Sequence, residues 1–149
     1  PTLLKSQPQI WAIGADGDQR QQIVANRSQF SRDFAVPFYG ANRPGADIPQ
    51  SLLDAFWLIS MQAGLANAYL SIKAFSETNF VEDLKKFDVP TLIVHGDDDQ
   101  IVPIADSAHK AARLIKDART IFYPGAPHGL TATSHADQFN ADLLAFIRS

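Results

Sequence analysis

Thr91-Leu92-Ile93-Val94-His95-Gly96-Asp97-Asp98-Asp99-Gln100-Ile101-Val102-Pro103 is an apolar run that passes through a glycine into three consecutive aspartates. Val89-Pro90 leads into it, and the run is short, so it reads as a β-strand buried on both faces, the kind found in parallel sheets. The acidic loop then lies at the C-terminal end of the strand. In open α/β sheets that edge collects ligands and catalytic groups, because its loops share one crevice.

The pattern continues as strand, helix, strand, helix. Asp106 is placed to cap a helix with an apolar stripe of Ala108, Ala111, Ala112 and Ile115, and Arg119 to Tyr123 reads as the next strand. The turn Pro124-Gly125-Ala126-Pro127 delivers His128. Ser134 with Asp137 has the spacing of a capping box, followed by a helical stripe of Phe139, Leu143, Phe146 and Ile147. This predicts a right-handed β-α-β unit with a closing helix. Two buried-type strands alone would leave faces and edges uncovered, so the unit is expected to complete a larger sheet.

Upstream the chain reads as helical. Ile23, Phe30 and Phe34 keep one face of a helix over Gln19 to Phe34, which Val36-Pro37 is expected to end. Residues 39–49 hold two glycines and two prolines and read as a loop. From Gln50 to Phe75, Leu53, Trp57, Met61, Leu65, Ala68, Ile72 and Phe75 keep helical spacing, with Gly64 expected to break the run in two. Gly14 to Asp18 is turn chemistry, and Thr2-Leu3-Leu4 is too short to classify.

Composition bounds the function. The 149 residues are 46% hydrophobic and 19% charged, ordinary values for one globular domain, so disorder is not expected. A formal charge of -3 gives no basic footprint for nucleic acid, and no apolar run approaches the roughly 20 residues of a membrane helix. No cysteine is present, which excludes disulfides, a thiolate nucleophile and a sulfur-ligated metal. The three aspartates lack the alternating spacing and distant glutamate of a calcium loop, so no metal site is expected. The chain begins at Pro1 without a methionine or a signal peptide, so a processed or partial chain in the cytoplasm is the expectation.

Asp99 at the end of the first strand and His128 after the second supply an acid followed by a histidine. A carboxylate that orients an imidazole, which takes a proton from a hydroxyl, is the back half of a Ser-His-acid triad, and α/β-hydrolases carry acid and histidine in this order. No serine here has the G-x-S-x-G setting of a nucleophile elbow. His95 reads as a structural, hydrogen-bonded residue, and His109 and His135 as solvated helix residues.

His95-Gly96-Asp97-Asp98-Asp99-Gln100-Ile101-Val102-Pro103, Gly125-Ala126-Pro127-His128-Gly129 and Asn140-Ala141-Asp142-Leu143-Leu144-Ala145-Phe146 resemble the C-terminal part of the cofactor-free haloperoxidase, perhydrolase and arylesterase branch of the α/β-hydrolases. Asp33-Phe34-Ala35-Val36-Pro37-Phe38-Tyr39-Gly40 and Ala74-Phe75-Ser76-Glu77-Thr78-Asn79-Phe80 resemble the cap of that branch and its exit. The resemblance implies an α/β-hydrolase fold with residues 1–80 as helical cap and 81–149 as the C-terminal sheet portion. It implies Asp99 as triad acid, His128 as base, and Phe34, Phe38, Phe75 and Ile101 around an acyl pocket. No cofactor is implied. The partners it implies are a small ester or carboxylic acid, with hydrogen peroxide as an alternative to water, and an N-terminal half that bears the serine; a homo-oligomer is compatible. Three other readings are a lactamase-type hydrolase on the same fold, a non-catalytic half that binds through its open sheet edge, and a tautomerase-like base at the Pro1 amine.

Overall fold

The computed structural model describes residues 17–149. The amine of Pro1, Thr2-Leu3-Leu4 and most of the turn expected at Gly14 to Asp18 lie outside the described residues; Gly17 and Asp18 open a helix instead. The described elements run α1 (Gly17–Tyr39), α2 (Gln50–Gln62), α3 (Leu65–Glu77), the single turn α4 (Val81–Leu84), β1 (Thr91–Gly96), α5 (Ala108–Leu114), β2 (Ala118–Tyr123) and α6 (Ala136–Ile147).

Helix α1 departs from the expected helix in two places. It is interrupted at Asn26, whose backbone is extended (φ -156°, ψ 87°) and whose side-chain oxygen accepts the Gln29 N–H at 3.0 Å, so Asn26 restarts the helix as a cap. It also runs past Pro37 to Tyr39. The ring costs one backbone bond, yet the last turn survives because Gly40 (φ +72°) closes it in the left-handed conformation, with Ala41 N–H donating 2.9 Å to the Val36 carbonyl.

The break expected at Gly64 is present: Ala63 and Gly64 are both extended, separating α2 from α3. Arg27 reaches across from α1 to the carbonyls of Ala63 (2.5 Å) and Met61 (3.4 Å), supplying donors to the otherwise unpaired C-terminal carbonyls of α2. Trp57 is held between α1 and α2 by a 3.0 Å hydrogen bond to Ser28 and by the Arg32 guanidinium 4.0 Å from its ring centre. Buried Ile23 and Ile72, with Phe30 and Ala68 against them, form the apolar centre of the helical part.

β1 and β2 pair in parallel, Thr91 opposite Ala118 through Gly96 opposite Tyr123. Both strands match their sequence reading, but the expectation of burial on both faces is not met within this chain: Thr91 to His95 are only half-buried and Arg119 and Thr120 are exposed. Two strands cannot cover each other's faces. A second apolar cluster, Tyr123, Ala126 and Leu130 with Val94, Ile121 and Phe139, joins this sheet to α6. Tyr123 is 1% exposed, and its hydroxyl donates 2.6 Å to Asp142 on α6, which fixes the helix against the strand end. Burial and that carboxylate together push the phenol up to about 12.

Neither expected cap forms. Asp106 lies in the short 3₁₀ turn Ile104–Asp106 and accepts Lys110 Nζ at 2.9 Å, while α5 starts after Ser107, whose hydroxyl donates to the Pro103 carbonyl. The Ser134–Asp137 capping box is also not made: α6 begins after His135, with no side chain bonded to its first amides.

Candidate active site

The loops after β1 and β2 meet because Gly96 lets them. A Cβ at Gly96 would run into the carbonyl of Ala126, so only glycine permits the acid loop to lie directly on the histidine loop. Asp98 N–H then donates 3.2 Å to that same Ala126 carbonyl.

Each aspartate of the run takes a different partner. Asp97 accepts the Gly125 N–H at 2.6 Å and so holds the turn that carries the histidine. Asp98 takes the Arg43 guanidinium in a two-pronged pair, both contacts 2.6 Å. Asp99, 7% exposed, turns inward. Its Oδ2 lies 2.7 Å from His128 Nδ1 and 3.1 Å from His95 Nε2, and its Oδ1 accepts the amides of Ile101 and Val102 at 2.8 Å each.

Burial by itself would raise the Asp99 pKa. The hydrogen bonds from His128, His95 and the Val102 amide outweigh it and hold the carboxyl well below the usual carboxylate range. An ionised Asp99 can only accept, so His128 carries its proton on Nδ1 and keeps a lone pair on Nε2. The His128 side chain is 32% exposed, against 3% for Asp99, so a proton on the imidazole is within reach of a bound molecule. The geometry is that of a base oriented by a buried charge.

The backbone of the helical part reaches this pair directly. Gly129 N–H donates 2.8 Å to the Phe38 carbonyl, and the Phe38 ring meets the His128 ring edge-on at 4.8 Å. Phe38 continues into Phe34 (5.9 Å) and Phe56 (5.0 Å). Phe34 and Phe75 share the wall of a recess of about 250 Å³ with Phe30, Phe56, Ile72 and Ser60. Phe38 stands between that recess and His128, while Ile101, half-buried, meets Asp99 through its backbone amide.

Two sets of contacts escaped the sequence. His95 is the hydrogen-bonded residue expected, bound to the Val102 carbonyl, but its second partner, Asp99, is new; a spacing of four residues across a strand end is its only signal. Asn42 and Arg43 sit in the loop after α1 and grip Gln100 and Asp98, with Asn42 and Gln100 exchanging two amide hydrogen bonds of 2.9 Å. Separations of 55 and 58 residues leave no local pattern for this. His109 is exposed as expected, on α5 beside Phe122, and His135 is half-buried beside Tyr123. Among the described residues no group of three or more histidine, aspartate or glutamate side chains could hold a metal ion.

The chain is similar to several known proteins. Residues 61–134 match the family described as serine aminopeptidase, S33. The chain is 56% identical over 131 residues to a non-heme haloperoxidase of Rhodococcus erythropolis, covering 87% of this chain and 47% of that protein. It is 50% identical over 133 residues to a bifunctional esterase/perhydrolase of Acinetobacter calcoaceticus, covering 89% and 48%. The crystal structure of a bromoperoxidase from Bacillus anthracis superposes with a TM-score of 0.85 at 31% identity, over 95% of this chain and 55% of that one. A parallel strand pair with acid and histidine on adjacent loop ends, under a helical segment, is the C-terminal portion of an α/β-hydrolase fold, and the chain belongs to that class. Within that class, the relatives it matches are named non-heme haloperoxidases and an esterase/perhydrolase, and the chain spans about half the length of these curated relatives.

Proposed function

We propose that this chain supplies the acid and base of a Ser-His-Asp triad in an esterase that also carries out perhydrolysis. The observation that carries the reading is the 2.7 Å contact between the buried Asp99 carboxylate and a His128 that remains partly open. Of the expected cap (1–80) the described residues 17–80 act as cap, residues 81–149 act as the sheet portion, and a serine-bearing N-terminal half of the same hydrolase completes the site.

In the assembled enzyme the serine hydroxyl attacks the carbonyl carbon of a small ester and gives its proton to His128 Nε2. The ester C–O bond breaks, the alkoxide leaves with that proton, and an acyl-serine remains. Water then attacks the acyl carbon, giving a proton to His128; the bond from that carbon to the serine oxygen breaks, the serine oxygen takes the proton back, and the carboxylic acid departs. Asp99 stays ionised and stabilises each imidazolium. Hydrogen peroxide in place of water releases a peracid. The peracid transfers oxygen to a halide, which is oxidised to hypohalite as the O–O bond is reduced and the carboxylic acid is returned. Support for the peroxide route comes from the perhydrolase and haloperoxidase names of the relatives. Phe34, Phe38, Phe75 and Ile101 shape the acyl side of the site.

Mixing this chain with a serine-bearing half tests the reading. Hydrolysis of an aryl acetate by the mixture and by neither part alone is expected. Turnover by this chain alone, or by a mixture made with His128→Ala, would overturn it.

A further inference from the structure

Asp99, Val102 and His95 form a closed ring. The Val102 N–H donates to Asp99 Oδ1 at 2.8 Å, its carbonyl lies 2.8 Å from His95 Nε2, and the same Nε2 lies 3.1 Å from Asp99 Oδ2. A carbonyl can only accept, so Nε2 carries the hydrogen, and that hydrogen is shared with the carboxylate. With the Ile101 amide and His128 the Asp99 carboxylate meets four donors, which is its full capacity. The His95 side chain is 13% exposed, so water does not replace its contact freely.

We propose that His95 is a positioning residue for the Asp99–His128 pair: its Nε2–H fixes the rotation of the carboxylate and takes up part of the charge on Oδ2. The Ile101 and Val102 amides hold Oδ1, and His95 is a second donor on Oδ2 beside His128. Sharing Oδ2 also divides the charge of Asp99 between the two rings. Of the other two acids of the run, Asp98 is paired with Arg43 and Asp97 accepts the Gly125 N–H. The bond to Asp99 also makes His95 easier to protonate, ahead of an opposing effect of burial.

The role of the pair in turnover rests on the triad reading, but the positioning does not, and it is measured without a serine. Histidine-ring NMR titrations are recorded on the folded chain, joined to a serine-bearing half where solubility requires it. In His95→Leu the His128 Nδ1–H resonance is expected to move, because Asp99 Oδ2 has lost its second donor. His95→Gln restores a donor at the ring Nε2 position and is expected to bring it back. Asp99→Asn is expected to lower the His95 titration and to move the same His128 resonance. An unchanged His128 Nδ1–H resonance in folded His95→Leu, or a His95 titration that ignores Asp99→Asn, overturns the proposal. Should His95→Leu fail to fold, the Asp99→Asn arm decides. Absence of esterase activity in every assembly would remove the triad reading and leave these shifts in place.

Discussion

Arg43 holds Asp98 through its Nε and one terminal nitrogen, each 2.6 Å from a different carboxylate oxygen, and so ties the end of α1 to the loop that carries Asp99. With the Asn42–Gln100 amide pair alongside, the helical part grips the acid loop at two neighbouring points. Arg43 is exposed, so the pair is open to screening. Arg43→Ala and Asp98→Asn are expected to lower the melting temperature slightly, with strong coupling in a double-mutant cycle and with an effect that shrinks in high salt. Thermal melts of the single and double variants at two ionic strengths check this.

Gly96→Ala should be far more damaging than an ordinary surface change. Its methyl would meet the Ala126 carbonyl, which is backbone and cannot swing aside. Loss of the folded state, or a large fall in melting temperature with the Asp99–His128 contact broken, is the expected outcome by calorimetry and histidine NMR.

The aromatic residues divide by place. Phe34 and Phe75 line the recess, so Phe34→Ala and Phe75→Ala are expected to shift preference toward longer acyl chains in the assembled enzyme. Phe34 is half-buried and Phe75 is 45% exposed, so both should cost less than the roughly 3–5 kcal/mol of a fully buried phenylalanine, Phe75 the least. Phe38 touches His128 instead, and Phe38→Ala is expected to lower kcat more than it changes chain-length preference. Rates on an acyl series, with urea melts of the same variants, separate the two effects.

The pH dependence of stability follows from Asp99 and His95 with opposite signs. The Asp99 pKa is depressed on folding, so its contribution is present above its unfolded value, about 3.9, and is lost as pH falls through the folded one. The His95 pKa is raised, so its contribution is complete below about 6.5 and disappears as pH rises through its higher folded value. Urea titrations from pH 3 to pH 9 are expected to show an acid limb that Asp99→Asn abolishes and a shallow loss above neutrality that His95→Gln abolishes.

Much of this was legible in the sequence where the signal was local. The apolar run at Thr91 and the interruption at Gly64 are set by neighbours in the chain, and both stand where they were expected. Asp99 and His128 were singled out because strand ends converge on one edge, and the structure brings them to 2.7 Å. What stayed hidden depends on tertiary partners. Pro37 is tolerated because Gly40 and Ala41 complete the turn, and the Asp106 cap gives way because Lys110 claims the carboxylate. The latch at Arg43 and the second imidazole at His95 are likewise invisible until the loops are folded onto each other.

The three aspartates give the central claim an internal control. Asp97 bonds a turn amide, Asp98 an arginine, and only Asp99 meets the histidines. Asp99→Asn is expected to lower kcat by about 10⁴, as when the amide favours the wrong imidazole tautomer, with Asp97→Asn and Asp98→Asn far milder. If acid and base act as one unit, Asp99→Asn combined with His128→Ala should be scarcely worse than His128→Ala alone.

The most direct measurement is kcat for His128→Ala in the assembly that restores the serine. If His128 moves the proton, kcat falls by several orders of magnitude while substrate binding survives. A folded His128→Ala enzyme that turns over an aryl acetate at nearly the unmodified rate would contradict the triad.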